Sequence, residues 1–250
     1  MGTKKALKHF GLIGKTLDYS FSKKFFDEKF STLKLPHTFS NFEFADEQAL
    51  GLFLLDDVFK LDGFSVTIPY KEIIIPYLDK LEDSAKKTQA VNSVSVNNGK
   101  LIGYNTDSYG FSKALEPHLK KAHNKALILG TGGASKAVAH ALSLLKIDFT
   151  FVSRKPQNKN ILNYTELDEK IISSHQIIIN TTPLGTFPDT TNCPDIPYQY
   201  ITSQYIAFDL VYNPEETLFL KKAKQQGASI ENGLTMLHFQ AEKSWKIWNN

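Results

Sequence analysis

Two stretches carry residue types and spacings that imply chemistry. In LILGTGGASKAV, Gly130, Gly132 and Gly133 follow a strand pattern and precede a helix pattern of small residues. The first glycine permits a tight turn. The second lets the backbone approach a pyrophosphate at the helix N-terminus, where free N–H groups and the dipole favour anions. Ser135 replaces the third glycine of the common dinucleotide fingerprint, but strand, turn and helix come in the required order. A site selective for NAD usually has an acid at the tip of the next strand. Here that tip reads Ser153-Arg154-Lys155, and two cations suit a 2′-phosphate, so NADP(H) is the expected cofactor. The second stretch is SVTIPYKE, Ser65–Glu72. Lys71 falls in the predicted first turn of a helix, a poor place for a cation because the positive end of the dipole lies there. At this level it is either a solvated lysine or one with a purpose.

Other matches are misplaced. GLIGKT resembles a phosphate-binding loop, but His9 stands where the leading glycine belongs. Tyr19 and Lys23 match the Tyr-x-x-x-Lys pair of short-chain dehydrogenases, yet they precede the glycine loop instead of following it. The seven histidines show no metal-ligand spacing, and the single cysteine, Cys193, cannot build a thiolate zinc site or an internal disulfide. No metal is expected.

Strand-like runs alternate with helical patterns, the signature of α/β layering. HFGLIG reads as strand. Phe26, Phe30 and Leu33 share a helical face, and Asp46 caps a helix with Leu50, Phe53 and Leu54 at helical spacing. KEIIIPYLDKL reads as helix limited by Pro76, and SVSVNNGKLIGY as a hairpin turning at Asn97-Asn98-Gly99. From residue 107 onward, a helix capped by Asp107 leads into near-continuous apolar strands, which imply a parallel sheet covered on both faces. In the last helix, 234–248, Leu234, Leu237, Ala241, Trp245 and Trp248 are expected on the packed face. Residues 1–105 with 234–250 are expected to form one domain, and 106–233 a second, Rossmann-like, doubly wound one.

The 250 residues suffice for one large α/β domain or two modest ones. A net charge of +3 without a basic run argues against nucleic-acid binding. No window reaches the length of a membrane span, the start MGTKKALKHF has no signal-peptide core, and Ala6 breaks a myristoylation motif. A reducing, cytoplasmic setting is expected, with the chain a monomer or homodimer.

Polar islands interrupt or end the apolar segments, where α/β folds place ligands. VTIPYKE, AVNSV and GYNTDSYG, together with GTGGAS, resemble the shikimate dehydrogenase family, in the same order along essentially the whole chain. The resemblance implies a substrate domain and an NADP domain with a cleft between them. It implies reversible reduction of 3-dehydroshikimate to shikimate by NADPH, on the route to aromatic amino acids. The family's catalytic lysine falls on Lys71 and its partner aspartate on Asp107. Lys71 would relay the proton of the reacting hydroxyl or stabilise its alkoxide, and Asp107 would orient the ammonium.

Further positions carry over individually. Ser20 and Ser22 match the serines that hold the substrate carboxylate. Lys23 departs from the proline usual there, which either changes the loop or adds a cation. Thr67, Asn92 and Gln240 match ligands of the substrate hydroxyls. Tyr212 and Gly233 match positions near substrate and nicotinamide. Gly130, Gly132, Gly133 and Ala134 match the phosphate loop, and Asn180, Thr181 and Thr182 a loop against the cofactor. Arg154 matches the 2′-phosphate arginine, while Ser153 and Lys155 depart from the usual Asn-Arg-Thr form. Three rivals stand beside this reading: a quinate-active or NAD-preferring relative, a folate-pathway dehydrogenase, and a ligand-sensing module without turnover. Lys71 and Asp107 together argue against the last.

Overall fold

Strand β1 (His9–Gly14) is apolar at most positions and buried along nearly its whole length, which requires layers on both of its faces. The computed structural model describes residues 6–18 and 20–249; Gly2 and Tyr19, which carried two of the rejected motifs, lie outside them. Contacts divide the chain into a first unit, residues 1–106 with 241–250, and a second, residues 107–240.

In the first unit, β2 (Thr38–Glu43), β1, β3 (Gly63–Val66), β5 (Ser93–Asn97), β6 (Lys100–Tyr104) and β4 (Lys80–Leu81) lie side by side in that order. β1 runs parallel to β2 and β3, whereas β3, β5 and β6 are antiparallel. The predicted hairpin is present: Asn98 and Gly99 both have positive φ, as a two-residue type I′ loop requires. Helix α1 (Phe21–Thr32) buries Phe26 and Phe30, but Leu33 falls at its C-cap and stays exposed. α2 (Glu47–Leu55) is capped by the Asp46 carboxylate, which accepts from Ala49 N at 2.9 Å. The helix expected over KEIIIPYLDKL is one turn, α3 (Tyr70–Ile73), followed by a 3₁₀ turn over Ile75–Tyr77. Pro76 donates no N–H, and Asp79 N bonds to Leu101 O, so the chain returns to the sheet as β4. α4 (Asp83–Thr88) then leads towards β5.

The second unit is an all-parallel sheet in the order β12 (Ser229–Glu231), β11 (Ile206–Asp209), β10 (Ile177–Asn180), β7 (Lys125–Leu129), β8 (Asp148–Ser153), β9 (Ile161–Asn163). β7 shows why both faces are buried: Ala126 and Ile128 enter one core, with Phe111, Val138 and Met236, while Leu127 and Leu129 enter the other, with Ile172 and Phe219. Helices α5 (Asp107–Leu115), α6 (Gly133–Leu144), α7 (Glu169–Ser173) and α8 (Leu218–Gln225) supply the covers.

α9 (Gly233–Trp248) begins in the second unit and ends in the first. Of the face expected to pack, Ala241 and Trp248 are buried and Trp245 packs against their core, but the buried face is wider at its polar side and stops short of Leu234. Leu234 is 38% exposed, and Met236, Gln240, Ser244 and Trp248, four residues apart, are buried together. Two of these four are polar, so an apolar stripe drawn along the helix captures Ala241 and Trp248 but omits Gln240 and Ser244.

Candidate active site

Within the first unit, the expected substrate residues gather around the ends of β1 and β3. Thr67 N bonds to Ile13 O at 2.9 Å, and Val66 N to Asn92 O at 2.9 Å. Lys71 sits on α3, a helix too short to hold itself. Two contacts fix it: Tyr70 is 1% exposed, and the Lys71 carbonyl accepts from Val91 N at 2.7 Å. Lys71 is thus carried on a turn locked to the core on one side and to the segment bearing Asn92 on the other. Asn92 is buried; its Oδ1 accepts from Thr106 N at 2.6 Å and its Nδ2 donates to Thr106 Oγ1 at 3.0 Å. Thr106 also bonds Ser244 of α9, and it immediately precedes Asp107 in the chain.

Ser20 is the N-cap of α1, and Ser22 lies in its first turn, which contains no acid. A twelve-residue helix with this N-terminus favours an anion there. Lys23 does not leave its charge loose beside the serines: its Nζ donates to Asp27 Oδ2 at 2.8 Å and to Phe39 O at 3.0 Å.

In the second unit, α5 starts on Asp107 itself rather than after it, so the carboxylate lies in the first turn, where the dipole favours a negative charge. Asp107 is 8% and Gln240 6% exposed. One turn past Asp107, Gly110 meets α9 without a side chain: a Cβ there would stand 2.5 Å from Met236 O and 3.0 Å from Gln240 Cβ. Close helix contact therefore brings Gln240 to the helix that bears Asp107.

The parallel sheet reverses its direction of growth between β7 and β10, the switch point where such sheets bind ligands. A cavity of about 520 Å³ opens there, lined by Gly130, Thr131, Gly132, Val152, Ser153, Arg154, Lys155, Tyr164, Thr181, Thr182 and Pro183. Six of the nine expected cofactor residues meet in it: Gly130, Gly132, Ser153, Arg154, Lys155 and Thr181. Gly133 and Ala134 open α6, and Gly233 opens α9; none of the three lines this cavity. Gly130 has φ +113°, and a Cβ there would lie 2.7 Å from Thr181 Oγ1, so both the turn and the space demand glycine. Gly132 is the N-cap of α6 and offers its first turn no side-chain acceptor. Ser135 donates to Gly132 O at 2.7 Å and is buried, taking the position of the missing glycine without entering the cavity.

The lining contains two cations and no carboxylate, which fits a dinucleotide with a 2′-phosphate. Tyr164 was not expected from sequence: it belongs to no motif and reaches the cavity from the turn after edge strand β9, whereas Thr131 lies within GTGGAS but was not singled out. Burial pushes the Tyr164 phenol up to about 12, against the pull of Arg154. A second cavity of about 410 Å³ shares Arg154, Tyr164, Thr182 and Pro183 and adds Asn163, Leu184, Cys193, Pro194 and Asp195. Tyr212, after β11, is 37% exposed and lines neither. Among the described residues no group of three or more His, Cys, Asp or Glu side chains is placed to hold a metal, and no helix is long and apolar enough to cross a membrane.

Residues 12–94 match the family model described as the shikimate dehydrogenase substrate binding domain. A shikimate dehydrogenase (NADP(+)) of Methanococcus maripaludis is 40% identical over 252 residues, covering 95% of this chain and 90% of that protein. The crystal structure of shikimate dehydrogenase from Aquifex aeolicus superposes with a TM-score of 0.87 at 34% identity, covering 97% of this chain and 92% of that one. The Thermus thermophilus enzyme, solved in complex with NADP(H) and shikimate, gives 0.86 at 28% identity, with 96% and 93% coverage. With this extent of similarity, and with the motifs VTIPYKE, GYNTDSYG and GTGGAS at strand ends, turns and helix starts, the chain belongs to the shikimate dehydrogenase family.

Proposed function

We propose that this protein catalyses the reversible NADPH-dependent reduction of 3-dehydroshikimate to shikimate. The observation that carries the reading is the acid-free, doubly cationic cavity at the switch point of the second sheet, in a chain that retains Lys71 and Asp107. The first unit is assigned the substrate and the second the dinucleotide. Bound NADPH supplies the hydride. Lys71 delivers the proton to the carbonyl oxygen as it becomes an alkoxide, and its charge stabilises that oxygen in the transition state. Asp107 orients the ammonium and accepts from the neighbouring substrate hydroxyl. Ser20 and Ser22 hold the substrate carboxylate at the N-terminus of α1, while Thr67, Asn92 and Gln240 bind ring hydroxyls. Tyr212 would contribute to the substrate side and Gly233 to the nicotinamide side. Arg154 and Lys155, with Ser153, hold the 2′-phosphate; Gly132, Gly133 and Ala134 present backbone N–H groups to the pyrophosphate, and Thr181 lies against the cofactor. A cytoplasmic setting belongs to the same reading, supported by the single, free Cys193.

NADPH formation from shikimate and NADP⁺ tests this, with quinate and NAD⁺ as alternatives and Lys71→Ala in parallel. Turnover with shikimate and NADP⁺ is expected, falling by about 10³-fold in the variant, while shikimate still binds. Equal turnover of quinate would replace the substrate assignment, and folded protein that binds NADPH but turns over no pair would overturn the enzymatic reading.

A further inference from the structure

Asp209, the last residue of β11, is 0% exposed and belongs to no part of the chemistry described above. Its Oδ1 accepts from Asn180 Nδ2 at 2.9 Å and from Val211 N at 3.0 Å; its Oδ2 accepts from Thr217 Oγ1 at 2.6 Å. Burial pushes the carboxyl up to about 6, against the pull of these three donors, so at neutral pH it is ionised and acts only as an acceptor.

That has a geometric consequence. An Asn side chain can present either its oxygen or its amide nitrogen in a given direction. With Asp209 demanding the nitrogen, the oxygen of Asn180 is turned the other way. It accepts there from Thr182 N at 3.0 Å and Thr182 Oγ1 at 2.6 Å, and Thr182 Oγ1 in turn accepts from Leu184 N at 3.3 Å. Thr181 is tied separately, its Oγ1 donating to Leu129 O at 2.8 Å at the end of β7. The turn 181–183, which walls the dinucleotide cavity, is therefore held from β7 at one residue and from β11, through Asn180, at the next. The Thr217 bond lies on the other oxygen and caps α8, where Thr217 Oγ1 accepts from Leu220 N at 3.3 Å.

We propose that Asp209 is a positioning residue for cofactor binding: by fixing the orientation of the Asn180 amide it sets the 181–183 turn against the dinucleotide without touching it. This rests on the NADP assignment above. Asp209→Leu removes every acceptor at this position and leaves the Asn180 Nδ2 only its longer bond to Leu184 O at 3.4 Å, which loosens the hold on the amide. Asp209→Asn keeps an acceptor for Asn180 and Val211 and turns its own NH₂ to Thr217 Oγ1, whose hydroxyl can reverse.

The test is steady-state kinetics and direct NADPH binding on the full chain at neutral pH, with folding checked by circular dichroism. Asp209→Leu is expected to raise the KM for NADP⁺ and the Kd for NADPH by about tenfold, with the KM for shikimate and kcat within about twofold. Asp209→Asn is expected to restore both cofactor constants to within about threefold of the parent. Should the leucine variant not fold, Asp209→Ser, whose smaller side chain admits water, carries the same expectation. A folded leucine or serine variant with unchanged cofactor constants would overturn the proposal. So would an asparagine variant as impaired as leucine, or a loss spread equally over both substrates. Absence of NADPH binding by the parent chain would overturn the NADP assignment and this inference with it.

Discussion

Lys71 and Arg154 pose opposite problems at the scale of a single residue. Lys71 lies on a turn that owes its position to neighbours: Tyr70 buried in the core, and a carbonyl tied to Val91. Arg154 lies at a strand tip where cavity chemistry matters more than backbone support. Asn163 Nδ2 donates to its carbonyl at 3.3 Å, which steadies the main chain while leaving the guanidinium to the cavity. Charge-assisted bonds to a phosphate contribute about 1.5–3 kcal/mol each. Arg154→Ala should therefore raise the KM for NADP⁺ by about ten- to a hundredfold and leave that for NAD⁺ within about twofold. A variant that lost both cofactors equally would show that Arg154 supports the fold of the cavity rather than reading the 2′-phosphate. The sign of this charge pattern was legible in the sequence because strand tip and glycine loop are close in the chain. Tyr164 was not, because it enters from an edge strand whose three residues carry no strong pattern.

Helices α5 and α9 show how element packing sets the site. Gly110 is the last residue of GYNTDSYG, and it lets Met236 and Gln240 approach within contact of the α5 backbone. A Cβ at 2.5 Å from a backbone carbonyl cannot be absorbed by a side-chain rotation, so the helices must part. Overpacking of this kind costs about 1–3 kcal/mol. Gly110→Ala should lower the thermal midpoint accordingly and raise the KM for shikimate through Gln240, with the KM for NADP⁺ changed less than threefold or so. An unchanged shikimate KM in a destabilised variant would detach Gln240 from substrate. At this scale the sequence was a partial guide. Near-continuous apolar runs made the parallel strands plain, and the Asn97-Asn98-Gly99 turn did the same for the hairpin. The face of α9 was read only in part, through Ala241, Trp245 and Trp248, because Gln240 and Ser244 are polar and buried, and polar residues on an inner face are what a hydrophobic pattern omits. The helix bearing Lys71 was legible but its shortness was not: Pro76 and the pull of the sheet edge at Asp79 end a helix that its apolar residues would otherwise extend.

Across the whole molecule, the path of the chain matters most. The first unit is begun by residues before 107 and finished by residues after 240. Its second core contains Phe10, Phe26, Phe30 and Phe39 from the start of the chain, with Ala241 and Trp248 from the end. Trp248 stacks on Phe10 at 5.1 Å with an interplanar angle of 18°, and packs on Phe26 at 5.2 Å. Gly63 leaves the space it occupies: a Cβ there would stand 2.4 Å from Trp248 Cδ1. Lys29 joins Glu242 at 2.6 Å across the same layer. Residue pairing over more than 200 positions means that β1 and α1 cannot complete their core until the last helix arrives. Removing the indole by Trp248→Ala should cost about 3–5 kcal/mol. The indole Nε1 is buried with no hydrogen-bond partner among the described residues, so part of what it contributes is offset by an unmet donor. Trp248→Phe, which keeps the stack and deletes that donor, should cost only about 1 kcal/mol. Amide hydrogen exchange distinguishes the alternatives. In Trp248→Ala, protection should fall in β1, β2 and α1 and persist in β7 and β10, while NADPH still binds. Equal loss in both sheets would show that the two units unfold as one, and an undiminished first sheet would show that the C-terminal helix is dispensable to it.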